Sequence, residues 1–202
     1  MLSSAAATLP YALAGALLAE LILRDRIEPD RNQRLSVGDA SSTGDYLLNE
    51  ALTQSRRSKE ERNLSDWVST LTDSIPDLAG QLRSRLIVKG VLPMEEDSHS
   101  GSVPWGNPPR KICNLKQETR LHLRSVALDR TAPIARTTVL LSLAQACNLI
   151  GEILSPEERR HAWSHLQEVI RDEALGKIVS DAALETTSRA GETMNARVAA
   201  AG

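Results

Sequence analysis

Residues 10–27 read PYALAGALLAELILRDRI. Leu13, Leu17 and Leu21, with Ala14 and Leu18 beside them, return every three or four positions, the spacing of one face of an α-helix. Pro10 suits a first helical position, where its missing N–H is not needed, and Thr8 stands two residues ahead as a cap. Asp25 and Pro29 end the run. The stretch has the apolar look of a leader or membrane segment but not the rest of the pattern. No positive charge precedes it, Glu20 interrupts it, and Arg24 and Arg26 follow at once. A spanning helix needs roughly 20 apolar residues. The expectation is a buried amphipathic helix in a cytoplasmic protein.

Composition extends that reading to the whole chain. Of 202 residues 41% are hydrophobic but only 2% aromatic, and Phe is absent. The core must therefore be built from Leu, Ala, Val and Ile, which favours helices over strands. Ile27, then Leu35 and Val37, flank the polar segment from Pro29 to Gln33 and predict a small hairpin. A Ser/Gly/Asp-rich linker runs from Gly38 to Gly44. Asp45 caps a helix with Leu47, Leu48, Ala51 and Leu52 on one face. A charged stretch from Arg56 to Asn63 leads to a short helix holding Trp67, Val68 and Leu71. The next helix is expected from about Pro76 to Lys89, with Leu78, Leu82, Leu86 and Ile87 inward. Gly90 stops it, and Val91 and Leu92 continue extended. Glu95 to Pro109 reads as loop. Helices follow over about 115–128, 134–154 and 156–170, the last opened by Ser155 as cap, Pro156 at the first position and Glu157 and Glu158 in the first turn. A final helix spans about 176–189. The fold class is mainly α: a compact multi-helix domain with small β-hairpin elements.

Catalytic chemistry finds no assembled motif. There is no Gly-x-Ser-x-Gly elbow and no glycine-rich phosphate loop, and the Ser98–Ser102 cluster with His99 sits in a polar loop. His161 and His165 are four apart on a helix, near Glu157 and Glu158, but Ala162, Trp163 and Ser164 lie between them, without the glutamate a helical zinc motif requires. A solvated helix face accounts for them. Cys113 and Cys147 stand alone, as free thiols of a reducing compartment do. The chain is read as a non-enzymatic binding module with no catalytic, cofactor or metal residue. Net charge is −2, which argues against a surface built to grip nucleic acid, so a nucleic-acid partner is not expected. Local basic groups do occur. Arg83, Arg85 and Lys89 lie on one helix, and Arg110 and Lys111 follow Trp105; a Trp beside cations suits a membrane interface. The alternative is a winged-helix-like nucleic-acid-binding regulator, because the helix from Pro76 ends in Gly90 and a hairpin is expected next. Glu95, Glu96 and Asp97 in the would-be wing count against it.

Four segments, taken in order, carry a resemblance. They are Tyr11–Ile27; Gly44–Leu52, GDYLLNEAL; Arg85–Leu92, RLIVKGVL; and the late helix around Ala144–Leu154. Their order and spacing resemble the Golgi phosphoprotein 3 family, with a domain over 9–179 and a helical or frayed tail over 180–202. The resemblance implies a mostly helical adaptor that associates peripherally with a membrane's cytoplasmic face. Eukaryotic members bind phosphatidylinositol 4-phosphate and link enzyme tails to a coat. The partners it implies here are an anionic phospholipid headgroup or membrane surface, and protein tails. The departures are specific. The family's headgroup pocket uses a Trp, an Arg and two basic residues, and these positions fall near Ala5 and on Ala14, Pro76 and Ala79. Alanine and proline cannot make charge-assisted contacts to phosphate. The family's apolar hairpin tip falls on polar Asp97–Ser102, and its helix ahead of the first motif is missing, as in a fragment or a misassigned start. The lipid-binding candidates left are Arg83, Arg85, Trp105, Arg110 and Lys111.

Overall fold

The computed structural model describes residues 2–30, 34–57, 62–92, 110–129 and 133–172, together with 181, 182, 184, 185 and 188. Among them are eight helices and one two-stranded sheet. The first helix, α1, spans Leu2–Leu23 and carries Pro10 inside it. Pro10 was expected to open this helix. Ala5, Ala6 and Ala7, the strongest helix formers, extend it backward, and the proline forgoes the bond its N–H would have given to Ala6 and crowds that carbonyl. The amphipathic expectation also needs correction. Ala12, Ala14, Leu17, Leu18, Ala19 and Leu21 are all buried, on several sides of the helix. A helix apolar nearly all round belongs in the centre of a domain, and α1 is packed there by the neighbours described below.

The predicted hairpin is present: β1 (Ile27–Pro29) pairs antiparallel with β2 (Leu35–Val37), Ile27 opposite Val37. Ile27 and Leu35 point into the core. Three helices follow: α2 (Tyr46–Arg57), α3 (Leu64–Ser74) and α4 (Leu78–Val88). Asn63 caps α3 by accepting from the Asp66 N–H at 2.8 Å. Asp77, in the left-handed region at φ 48°, caps α4 by accepting from Gly80 at 3.1 Å. A Cβ at Gly80 would meet the Asp77 carboxylate, which would have to shift to make room. Leu86 was placed inward but is 37% exposed, because only the Leu78–Leu82 side of α4 reaches the core.

The second half consists of α5 (Arg110–Asp129), α6 (Ala135–Ala146), the single turn α7 (Ile150–Ile153) and α8 (Pro156–Asp172). The helix expected over 134–154 is broken. Asn148 takes φ 57°, its N–H bonds to the Gln145 carbonyl at 2.9 Å, and Leu149 bonds to Ala144 at 2.7 Å. These are the paired bonds of a Schellman ending, which asparagine tolerates. The Ser155 start of α8 holds as expected and is a full capping box: Glu158 N–H donates to Ser155 Oγ at 3.3 Å, and Ser155 N–H to the Glu158 carboxylate at 2.9 Å.

Two hydrophobic clusters result. The first gathers α1, the hairpin, α2, α3, the start of α4 and Ala182 around Trp67, Leu18 and Leu71. The second gathers α5, α7 and α8 around Leu166, Leu154 and Leu141. Helix α6 is the wall between them, with Val139 and Leu143 in the first and Leu141 in the second. Glu185 accepts a hydrogen bond from Ser65, which ties that part of the chain to α3.

Candidate functional site

The polar linker from Gly38 to Asp45 becomes a platform held by three arginines. Arg24 directly follows α1, and the chain turns there through Asp25 at φ 55°. The Arg24 Nε donates to Glu20 at 2.8 Å and its Nη1 to the Thr43 carbonyl at 3.3 Å. Arg26 binds Asp39 and Ser41. Arg85, on α4, pairs with Asp45. The loop satisfies itself as well. Asn49 Oδ1 accepts from both the Thr43 N–H and hydroxyl at 2.8 Å, and Asp45 caps α2 by accepting from Leu47 at 3.0 Å and Leu48 at 3.4 Å. Gly44 makes the final bend at φ 74°, a region most L-residues avoid. Three of the four quoted segments therefore meet at this loop.

Beside the loop is an open groove of about 310 Å³, lined by Gly44, Asp45, Tyr46, Leu47, Gln81 and Arg85. The Asp45 side chain is only 13% exposed, whereas Arg85 is 37% exposed. Of the pair, the cation is thus the more accessible to solvent and the carboxylate the more covered. The Arg85 hydrogen bond holds the Asp45 carboxyl below its ordinary range, against a smaller opposing effect of burial. For the same reason Arg85 is held further toward its charged form. Nearby, Arg136 of α6 straddles Glu20 at 2.9 and 3.0 Å. Burial pushes the Glu20 carboxyl up, but the hydrogen bonds from Arg24 and Arg136 outweigh it and the net shift is downward. Glu158 is lowered to about 2, first by Arg124 and then by the Ser155 N–H.

These shifts set an acid response. A carboxylate whose folded pKa is depressed contributes stability above its unfolded value and loses it as pH falls toward the folded one. Urea midpoints are expected to hold near neutral pH and to fall as pH drops from the ordinary carboxylate values of 4.5 for Glu20 and 3.8 for Asp45. Asp45→Asn should flatten part of that fall. A midpoint as high at pH 3 as at pH 6 would contradict the assignment.

The basic residues singled out from sequence do not form one cluster. Arg85 lines the groove, whereas Arg83 is exposed and lies about 200° round α4 from it. Arg110 and Lys111 open α5. Trp105, and the loop with Ser98–Ser102 and His99, lie outside the described residues. His161 Nδ1 sits 2.9 Å from the Glu157 backbone carbonyl, and His165 Nδ1 is 4.0 Å from Glu168. Among the described residues no group of His, Cys, Asp and Glu is placed to hold a metal. Cys147 is buried, and burial pushes its thiol up. Val91 and Leu92 do not begin a strand: both N–H groups turn back to the Leu86 carbonyl, at 2.7 and 3.2 Å. The helix of the winged-helix alternative thus ends at Gly90 as expected, and the would-be wing after Leu92 lies outside the described residues. Sequence reasoning gave Asp45 only a capping role and passed over Tyr46 and Gln81. No local signal marks a groove whose walls are 35 residues apart in the chain.

Comparison with known proteins follows the same lines. A family model described as Golgi phosphoprotein 3 (GPP34) matches residues 1–186. Vacuolar protein sorting-associated protein 74 of Eremothecium gossypii is 27% identical over 198 residues, taking in 79% of this chain and 59% of that protein. The chain thus spans about three fifths of that relative's length.

Proposed function

This chain belongs to the Golgi phosphoprotein 3 family, and from that premise we propose that it is a non-enzymatic module that docks peripherally on the cytoplasmic face of a membrane, through anionic lipid headgroups and with protein tails as further partners. The family match across residues 1–186 carries this reading. Among the described residues no helix is long and apolar enough to cross a membrane, so α1 does not argue for insertion. Recognition of phosphatidylinositol 4-phosphate in the family's manner finds no support in the pocket positions. Ala14 is wholly buried in the first core, and neither Pro76 nor Ala79 brings a charge. Binding here is therefore governed by charge rather than by the inositol ring.

Co-sedimentation tests the reading. Vesicles of phosphatidylcholine alone should not retain the protein, and vesicles containing phosphatidylserine should, less so as salt rises. Replacing phosphatidylserine by phosphatidylinositol 4-phosphate at matched charge should bring no large gain. No retention by any anionic vesicle would refute the lipid reading. Trp105→Ala with Arg110→Ala and Lys111→Ala should weaken retention. Unchanged retention would remove those three residues from the contact.

A further inference from the structure

We propose that the groove between the start of α2 and the outer face of α4 is the headgroup seat: the outward edge of Arg85 receives the phosphate of an anionic membrane lipid, while Tyr46 and Val88 settle into the interfacial layer on either side. This rests on the membrane-docking reading above and gives it a location. Four observations carry it.

Arg85 is held by its ion pair with the more covered Asp45 and is itself 37% exposed, so its other N–H donors are positioned and accessible, and a planar guanidinium matches a phosphate. Lys89 follows Arg85 by four residues, close to the same side, and residues 78–92 hold no acidic residue. Asp45, the one acid of the groove, is spent on Arg85 and on the first turn of α2. Tyr46 at 71% and Val88 at 87% are the two most exposed large apolar side chains among the described residues. Tyr46 lines the groove, and Val88 lies three residues beyond Arg85, on the same side of α4.

A small soluble anion would gain nothing from an aliphatic side chain standing almost wholly in water. A bilayer surface supplies the phosphate and the apolar layer together, and a tyrosine there keeps its ring in the layer and its hydroxyl wet. The seat adjoins the family's pocket positions, since Gln81, which lines the groove, donates to the Pro76 carbonyl at 2.8 Å, but its charge comes from Arg85 and not from Ala14, Pro76 or Ala79.

The test measures partition of the full chain onto phosphatidylcholine vesicles doped with phosphatidylserine. Val88→Asp and Tyr46→Asp change exposed side chains and should fold as the parent does, by circular dichroism. Each should lower the partition coefficient about tenfold, since a carboxylate is set against an anionic surface. Arg85→Lys keeps a cation for Asp45 but loses the guanidinium edge; it should bind several-fold more weakly at an unchanged melting temperature. Millimolar glycerophosphoserine should fail to displace the protein. If the parent binds but Val88→Asp and Tyr46→Asp bind equally well, this seat is wrong and the docking reading stands. Full displacement by glycerophosphoserine would make the groove a soluble oxyanion site and overturn the bilayer assignment. If the parent ignores anionic vesicles altogether, both fall together.

Discussion

Trp67→Ala is expected to remove about 3–5 kcal/mol of unfolding free energy, the range for deleting a large core aromatic. Trp67 is 2% exposed and sits in the first core, on α3, which with α6 packs most extensively against α1. With so few aromatics in the chain, no neighbouring ring can close the cavity, and aliphatic side chains relax only in part. The Arg62 guanidinium, 5.9 Å above the ring, would also lose its cation–π partner. Trp67→Phe should behave differently. The indole N–H is buried without a hydrogen-bond partner among the described residues, so phenylalanine removes an unpaired donor while it gives up volume. The two effects oppose each other, and the net cost should stay under about 1.5 kcal/mol. Urea titration followed by far-ultraviolet circular dichroism reads both. A phenylalanine variant as unstable as the alanine variant would show that the indole N–H has an acceptor after all.

The contrast between what was legible and what was not follows the range of each signal. Short-range chemistry read well. Asp45 as a cap, Ser155 as a cap and the hairpin between Ile27 and Val37 are each decided within about ten residues, and each is present. The helix endings show where that range stops. Three helices end in the same pair of backbone bonds, with Asp25, Gly90 and Asn148 in the left-handed position. Only Gly90 advertised itself, because glycine alone reaches that region without strain. In sequence Asp25 reads only as a general stop signal, and Asn148 reads as helix interior. At Asn148 the break gives α6 and α7 different directions, and it lets Ile150 and Ile153 reach the second core.

The candidate site lay outside that range. Arg85 was legible as a cation and Asp45 as a cap. Their pairing depends on how α4 lies beside the start of α2, which the chain between them does not encode locally. The same holds for Glu20, whose partners are Arg24 one turn away and Arg136 from the far half of the chain. The family resemblance was legible because it rests on the order of segments, which survives even where the pocket side chains have been replaced.

Leu166→Ala tests whether the two cores behave as one folding unit. Leu166 is 1% exposed on α8, in a cluster with Leu123 and Val126 of α5, Leu141 of α6, and Ile153 beyond the Asn148 break. Its truncation should cost about 2–5 kcal/mol. It shares no cluster with Trp67, yet α6 packs against α1 on one side and α8 on the other. Losing α8 would strip the Leu141 face of α6, and a helix with one bare apolar face holds α1 poorly. The variant is therefore expected to unfold in a single transition, shifted to lower urea with an unchanged slope. Combined with Trp67→Ala, the two costs should add to within about 0.5 kcal/mol, as for distant sites without common partners. Their sum of about 5–10 kcal/mol approaches the whole stability of an ordinary domain, so the double variant should be largely unfolded at room temperature. A Leu166→Ala protein that first loses part of its helix signal while the first core melts where the parent does would mean that α6 stays docked on α1 alone. The two cores would then be separate folding units, and the groove beside Arg85, which is built wholly from first-core elements, would survive loss of the second half.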